Sequence, residues 1–311
     1  MFPIIPANSA AETSVLNDNG IFFGGSQVGD SRADTTNLVS DAGVVASDGT
    51  GVGTGRSAVG GCEFGGDQGI FGFGDDSGDG TYCAITNLVS NAGVLAADQA
   101  ATTGTDRFRS EAATYGGTKG LFVWGYGGGS YLAISNLVSD TGVVASDTAI
   151  SGTARGSFAG CEYNTDKDNA IFAYGYGSGG TAVSNTVTNQ GVVSSDVAGV
   201  GTVRWALSAC GYGNDKGIFA YGTTGGGVAV AMSNKVDNTG TVASDTAGVG
   251  TARRGPGAAT QYGEDKGIFA FGYDAPSKLN IKNLVANDGT VASDTATVAT
   301  ARAELGACSY N

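Results

Sequence analysis

Six arginines recur in the setting Thr-x-Arg: Arg56, Arg107, Arg155, Arg204, Arg253 and Arg302. A guanidinium presents a planar fork of donors, so a ring of them could grip an acidic peptide or a sugar carboxylate. The residue after each arginine varies, from Ser57, Phe108 and Gly156 to Trp205, Arg254 and Ala303. Phe108 with Arg109, Trp205 and Arg254 are of the aromatic and cationic types that anchor a ligand or partner at a concave rim. The six arginines and these four side chains form the expected binding set. A structural role competes with it. An aspartate stands before each arginine, and an Arg–Asp pair across the intervening turn would stiffen every repeat alike.

Other chemistry is sparse. The chain has no histidine, which removes the commonest general base and metal ligand. It has no G-x-S-x-G, H-E-x-x-H or phosphate-loop pattern, so no enzymatic activity, cofactor or metal is expected. The acidic run Asp75-Asp76-Ser77-Gly78-Asp79 lacks the spacing of a calcium loop and reads as solvated. Cys62, Cys161, Cys210 and Cys308 share one column after the arginine, with Ala113 and Ala259 in the other two repeats. Cysteine alternating with alanine predicts a small buried slot rather than a disulfide or metal set. Cys83 lies in a loop. A net charge of −13 argues against nucleic-acid binding, and no apolar run reaches the ~18 residues of a membrane span.

The elements that must carry these residues also repeat. Gly217–Gly222, GIFAYG, returns as GIFFG from Gly20, GIFGFG from Gly69, GLFVWG from Gly120, AIFAYG from Ala170 and GIFAFG from Gly267. The second residue of each copy falls at Ile21, Ile70, Leu121, Ile171, Ile218 and Ile268, in steps of 49, 51, 50, 47 and 50, a period that signals stacked units. An Asn-x-Val column (Asn37, Asn87, Asn136, Asn185, Asn234, Asn283) and an aspartate column (Asp48, Asp98, Asp147, Asp196, Asp245, Asp294) keep step with it. Triplets such as Asp140-Thr141-Gly142 turn the chain between those two columns. A small-residue run follows each arginine, and no stretch shows sustained helical spacing.

This pattern predicts an all-β fold: a six-bladed β-propeller over residues 17–311, with four antiparallel strands per blade. The small-residue run starting at each arginine is the expected inner strand, and the C-terminal one, Arg302–Tyr310, is expected to close the first blade. The loops that follow the GIFAYG strands vary most and share a face with the residues after the arginines, as a recognition surface does. Residues 1–16 precede the ring as an arm. Its Phe2, Ile4 and Ile5 belong either to a terminus that is loose or rests on the domain, or to an assembly contact with a neighbouring subunit.

An arginine, a small-residue strand and an apolar strand ending in glycine together resemble the kelch repeat, as a pattern over about 295 of the 311 residues. The chain departs from that pattern in its mostly single glycine, where kelch has a pair, and in lacking the tryptophan near the end of the fourth strand. The regulator-of-chromosome-condensation repeat is a near alternative. The wording TNLVS-x-[AT]-G-VVASD is also similar to tandem repeats in predicted proteins of marine phages. That similarity implies a virion protein without enzymatic activity, such as a tail, fibre or surface-decoration component. Its partners would be other virion proteins or a cell-surface glycan or protein met in host attachment. The alternative is a free lectin-like module, extracellular or cytoplasmic and soluble, that binds a glycan or peptide through its Arg and Trp205 face.

Overall fold

The repeating GIFAYG stretch is the middle strand of a sheet in every repeat. The computed structural model describes residues 17–77, 81–99, 104–255 and 258–311. Within them the chain is all-β, with six antiparallel sheets of three or four strands and two short hairpins. In the second sheet, Gln68–Gly72 pairs with Gly60–Phe64 on one side and Thr86–Val89 on the other. The third sheet (Glu111–Tyr115, Lys119–Val123, Ile134–Val138) and the fourth (Ala159–Tyr163, Asn169–Ala173, Ser184–Val187) keep that order. So do the fifth (Ser208–Tyr212, Lys216–Ala220, Ser233–Val236) and the sixth (Ala258–Tyr262, Lys266–Ala270, Ile281–Val285). The first sheet joins the two ends of the described chain: Asn19–Phe23 pairs with Thr36–Val39 and with the C-terminal strand Gly306–Tyr310. That closing strand starts at Gly306 rather than at Arg302.

The middle strands are apolar without alternation because both of their faces are covered. Ile21 and Phe22, Ile70 and Phe71, and their counterparts down to Ile268 and Phe269 are fully buried. Six apolar clusters hold them, and each draws on two successive sheets. The cluster of Phe71 and Val89 with Ile21 and Cys308 joins the first and second sheets. The cluster of Ile268 and Phe271 with Phe22 and Val39 joins the sixth back to the first. The first strands also touch in that cyclic order, and Gly306–Tyr310 lies against both Gly60–Phe64 and Ala258–Tyr262. Each unit therefore buries its apolar faces only against its neighbours, the energetic pattern of a repeat protein.

The fourth strand is weaker than the sequence predicts. Only Thr148–Ala149 and Thr295–Ala296 form one, each of two residues. In the other four sheets that segment is reduced to isolated bridges such as Val39↔Val45 and Thr36↔Gly49. A side chain ties that segment to its sheet in all six repeats, including the two with a fourth strand. Asn37 Nδ2 donates to the Ala46 carbonyl at 3.1 Å and to Asp48 at 2.9 Å, and the same pair of bonds recurs at Asn87 and Asn185.

Register corrects the cysteine column. Cys62, Cys161, Cys210 and Cys308 stand opposite Ile70, Ile171, Ile218 and Ile21, and Ala113 stands opposite Leu121. In the sixth sheet the residue opposite Ile268 is Thr260, not Ala259. The cause is one extra residue between Arg253 and Tyr262. Each thiol fills the space left by a glycine that opens the middle strand of the next sheet. A Cβ on Gly120 would come within 2.4 Å of Cys62 Sγ, and one on Gly217 within 2.5 Å of Cys161 Sγ. Between the third and fourth sheets, where Ala113 replaces the cysteine, Ala170 replaces the glycine.

This complementarity is testable. Gly120→Ala should destabilise the fold by about 1–3 kcal/mol through overpacking. Adding Cys62→Ala should recover most of that loss, a coupling that urea unfolding of the two single variants and the double variant would measure. Strict additivity would show that the two residues do not share one slot.

Candidate functional site

The six arginines of the Thr-x-Arg column do not line a binding ring, because all six are fully buried. Arg155 is representative. Its Nη2 donates to Asn185 Oδ1 at 2.7 Å and its Nη1 to the Thr153 carbonyl at 3.1 Å. The guanidinium lies 4.1 Å over the Trp124 ring of the preceding sheet. Asp196 accepts from Asn185, from the Thr153 amide and from the Thr153 hydroxyl, and stands 4.0 Å from the guanidinium. The other five arginines sit in a similar cluster, with stacking distances from 3.7 to 5.0 Å, except that Arg302 Nη1 donates to Asp48 at 3.2 Å in place of a Thr carbonyl.

The expected Arg–Asp pair across the short turn is also corrected. Arg155 pairs with Asp196 and not with the preceding Asp147, which pairs with Arg107. Arg302 pairs with Asp48 of the first sheet. Each arginine enters its own sheet at the inner end, and that sheet's Asn and Asp arrive only after two further turns of chain. Burial lowers the arginine pKa, to about 10 for Arg107. Burial also works against ionised Asp196, but bonds from Thr153 and Asn185 and the charge of Arg155 outweigh it and hold the carboxyl below its usual value.

Two residues beyond each arginine the backbone turns left-handed. Ala58, Arg109, Ser157, Ala206, Gly255 and Glu304 have φ between 44° and 61°. Their amides close a circle. Arg109 donates to Ala58 O at 3.2 Å, Ala206 to Ser157 O at 2.7 Å, and Ala58 to Glu304 O at 2.8 Å, with the other three in step. Five of these residues are not glycine, and such backbone costs on the order of 1–3 kcal/mol each unless its surroundings enforce it.

A cavity of about 560 Å³ opens on this circle. Trp205 and Tyr176 form one side, with ring centroids 5.0 Å apart. Arg254, set 5.1 Å over Tyr273, and Arg109 beside Tyr131 add positive charge. Lys278 at the rim is held by Ser26 Oγ at 2.7 Å and Asp30 at 2.8 Å. Trp205, Arg109 and Arg254 thus come together as the sequence predicts. Phe108 turns aside and stacks on Tyr82 at 4.4 Å. Sequence reasoning missed the tyrosines. Tyr176 and Tyr273 directly follow the glycine that ends a GIFAYG stretch, and their bridges to Gly156 and Arg254 set them beside the residues after the arginines.

The remaining expectations fall elsewhere. Phe2, Ile4 and Ile5 lie outside the described residues, as do Gly78 and Asp79 of the acidic run. Asp75 of that run is buried and forms an ion pair with Arg32 at 2.6 Å. Among the described residues no group of three or more Cys, Asp or Glu could hold a metal ion. All five cysteines are buried free thiols. Burial raises the Cys83 thiol to about 11 and the other four further, which leaves them poor nucleophiles. No helix among the described residues is long and apolar enough to cross a membrane.

No protein-family model matches the chain, and no curated protein matches it.

The aspartate clusters predict a pH dependence. Asp48, Asp98, Asp147, Asp196, Asp245 and Asp294 all have pKa values lowered by folding. Their contribution is complete above the unfolded-state value of about 3.9 and is lost as pH falls through the folded values. The thermal midpoint should therefore drop steeply below about pH 4. Asp196→Asn should lower the midpoint at pH 7 and make the acid limb shallower by at most roughly one sixth, since it removes one of six equivalent groups while Asp30, Asp237, Asp265 and Asp288 are also held low by folding. An unchanged acid limb would exclude the clusters as its origin.

Proposed function

We propose that the chain is a six-bladed β-propeller without enzymatic activity that binds a glycan or a peptide in the cavity beside Trp205. The propeller reading is supported by the cyclic order in which the six sheets meet and by the circle of amides around their inner ends. The binding reading rests on one observation. The cavity is walled by the side chains that differ from repeat to repeat, while every repeating polar column is used up between sheets. Trp205 and Tyr176 offer faces for stacking, and Arg109 and Arg254 offer donors to an acidic group. Host attachment as part of a phage particle is the setting that the wording of the repeats favours, and a cell-surface ligand suits that setting.

The test is binding to arrayed glycans and acidic peptides. A hit should lose at least about tenfold in affinity, or ~1.4 kcal/mol, on Trp205→Ala or Arg254→Ala. Binding that neither substitution changes would rule out this cavity as the site.

A further inference from the structure

Beneath the circle of amides the cavity narrows into a neck of about 90 Å³, the volume of roughly three liquid waters. The cavity and the neck share Arg109, Ser157, Ala206, Gly255 and Glu304, so one leads into the other. The wall of the neck is mostly small and apolar, with Ala112, Ala159, Ala209 and Ala307 on it. Two carboxyls interrupt that wall: Glu304, which the neck shares with the cavity, and Glu111, which lines the neck alone. Glu111 is the first residue of its strand and makes no ion pair or hydrogen bond through its side chain with any described residue. Arg109, two residues away, lies instead over Phe108 at 4.7 Å and interacts with the Tyr131 hydroxyl. Glu111 is half-buried, and a carboxyl in so confined a space without a protein counter-charge is held toward its neutral form.

The far end of the same channel shows what such a carboxyl can hold. There Lys167 Nζ donates to both Glu63 oxygens, at 2.8 and 2.6 Å, and the lysine is 9 % exposed. It comes from Thr165–Lys167, a 3-10 turn in this inner-strand connection, where the other described connections have simple turns. Glu63 is the fourth residue of its strand and Glu111 the first of the next, so the two sites lie about 10 Å apart along the channel.

We propose that the neck binds a primary alkylammonium, with the charged group on Glu111 and the alkyl stem against the alanine wall. The proposal rests on the cavity being a binding face, because the ligand reaches the neck through it. The volume suits an unbranched stem of a few carbons, and the partnerless carboxyl calls for a cation that also donates hydrogen bonds. Burial raises Glu111 to about 8, so at pH 7 an arriving ammonium displaces a proton. The other charged groups of the neck are Arg109 on the same connection and Glu304 across the circle, with Glu63, Glu162 and Lys167 further down. The ammonium could belong to a free amine or to a lysine side chain of a partner.

Calorimetry on the full chain tests this with n-butylamine, with 1-butanol, and with a capped Gly-Lys-Gly peptide and its norleucine counterpart. Butylamine should bind and 1-butanol should not. In two buffers of different ionisation enthalpy, binding at pH 7 should release about one proton. Glu111→Gln should weaken butylamine at least tenfold, and Ala209→Val, which narrows the neck and spares the carboxyl, should weaken it too. Binding of the lysine peptide but not its norleucine analogue identifies a partner's side chain as the source, whereas binding of butylamine alone identifies a free amine. Equal binding of alcohol and amine, or full binding by Glu111→Gln, overturns the proposal. Trp205→Ala should leave butylamine binding within about twofold. Loss of glycan binding with retained amine binding, or the converse, tells the failure of one site from that of the other.

Discussion

A guanidinium out of reach of water is tolerated only where its donors are met and a counter-charge stands close. Every repeat of this chain imposes that demand once and meets most of it from three parts of the sequence; the Nε of Arg56 and Arg204 also finds a carbonyl, whereas that of the other four has no partner among the described residues. The Thr carbonyl comes from the connection before the arginine, the Asn from the third strand, and the Asp from the segment beyond it. One arginine therefore fixes where the first strand, the third strand and the last segment of a sheet lie relative to each other. Its flat face rests on an aromatic ring of the preceding sheet, so the same group also sets the spacing between sheets. The Asn and Asp side chains tie the last segment to its sheet in every repeat, whether or not that segment forms a fourth strand.

The aromatic partner has a backbone requirement of its own. Phe73, Trp124, Tyr174, Tyr221 and Phe271 adopt positive φ, and the glycine after each, such as Gly74 at 123°, goes further into that region. Together they bend the end of the middle strand and send the glycine amide to the carbonyl of the next sheet's arginine, as from Gly74 to Arg107 at 2.9 Å. The first repeat shows the rule by departing from it. Its stretch continues as GIFFGG, so Gly24 takes the left-handed position and the ring under Arg56 is Phe23, one residue earlier. There the ring contact between sheets is tilted at 34°, against 71° or more in the equivalent contacts.

Much of the scaffold was legible because its determinants are local and recur. Period, strand order and the joining of both ends follow from columns that a single sequence displays. What was not legible is non-local or depends on register. An arginine lies between two aspartates of similar wording, VVASD and VVSSD at Arg155, and only the path of the chain decides that Arg155 takes Asp196. A single extra residue in the sixth repeat moved Thr260 into the place expected for Ala259. The binding set was legible in part. Trp205, Arg109 and Arg254 stood out by type, whereas the arginines shared their type with a structural role that won because six buried clusters can use all six alike.

The contrast between columns separates scaffold from site. Positions that pack between sheets carry nearly the same residue in all repeats, since one interface is built six times. Positions facing the channel do not. The fourth residue of the inner strand is Glu63, Thr114, Glu162, Gly211, Gln261 or Ser309, and the first is Gly60, Glu111, Ala159, Ser208, Ala258 or Gly306. Filling a narrow channel favours small apolar residues throughout, and most of the wall follows that preference. Carboxyls work against it: burial pushes Glu111 toward its neutral form, and burial with the charge of Glu63 does the same to Glu162 against the pull of Lys167. Glu63 has Lys167 opposite it, a partner built into the chain by one unusual turn. Glu111 has none among the described residues, and it lines the end of the channel that opens on the aromatic cavity. Packing, symmetry and strand propensity all disfavour a carboxyl at that position, which leaves what passes through the cavity as its physical justification.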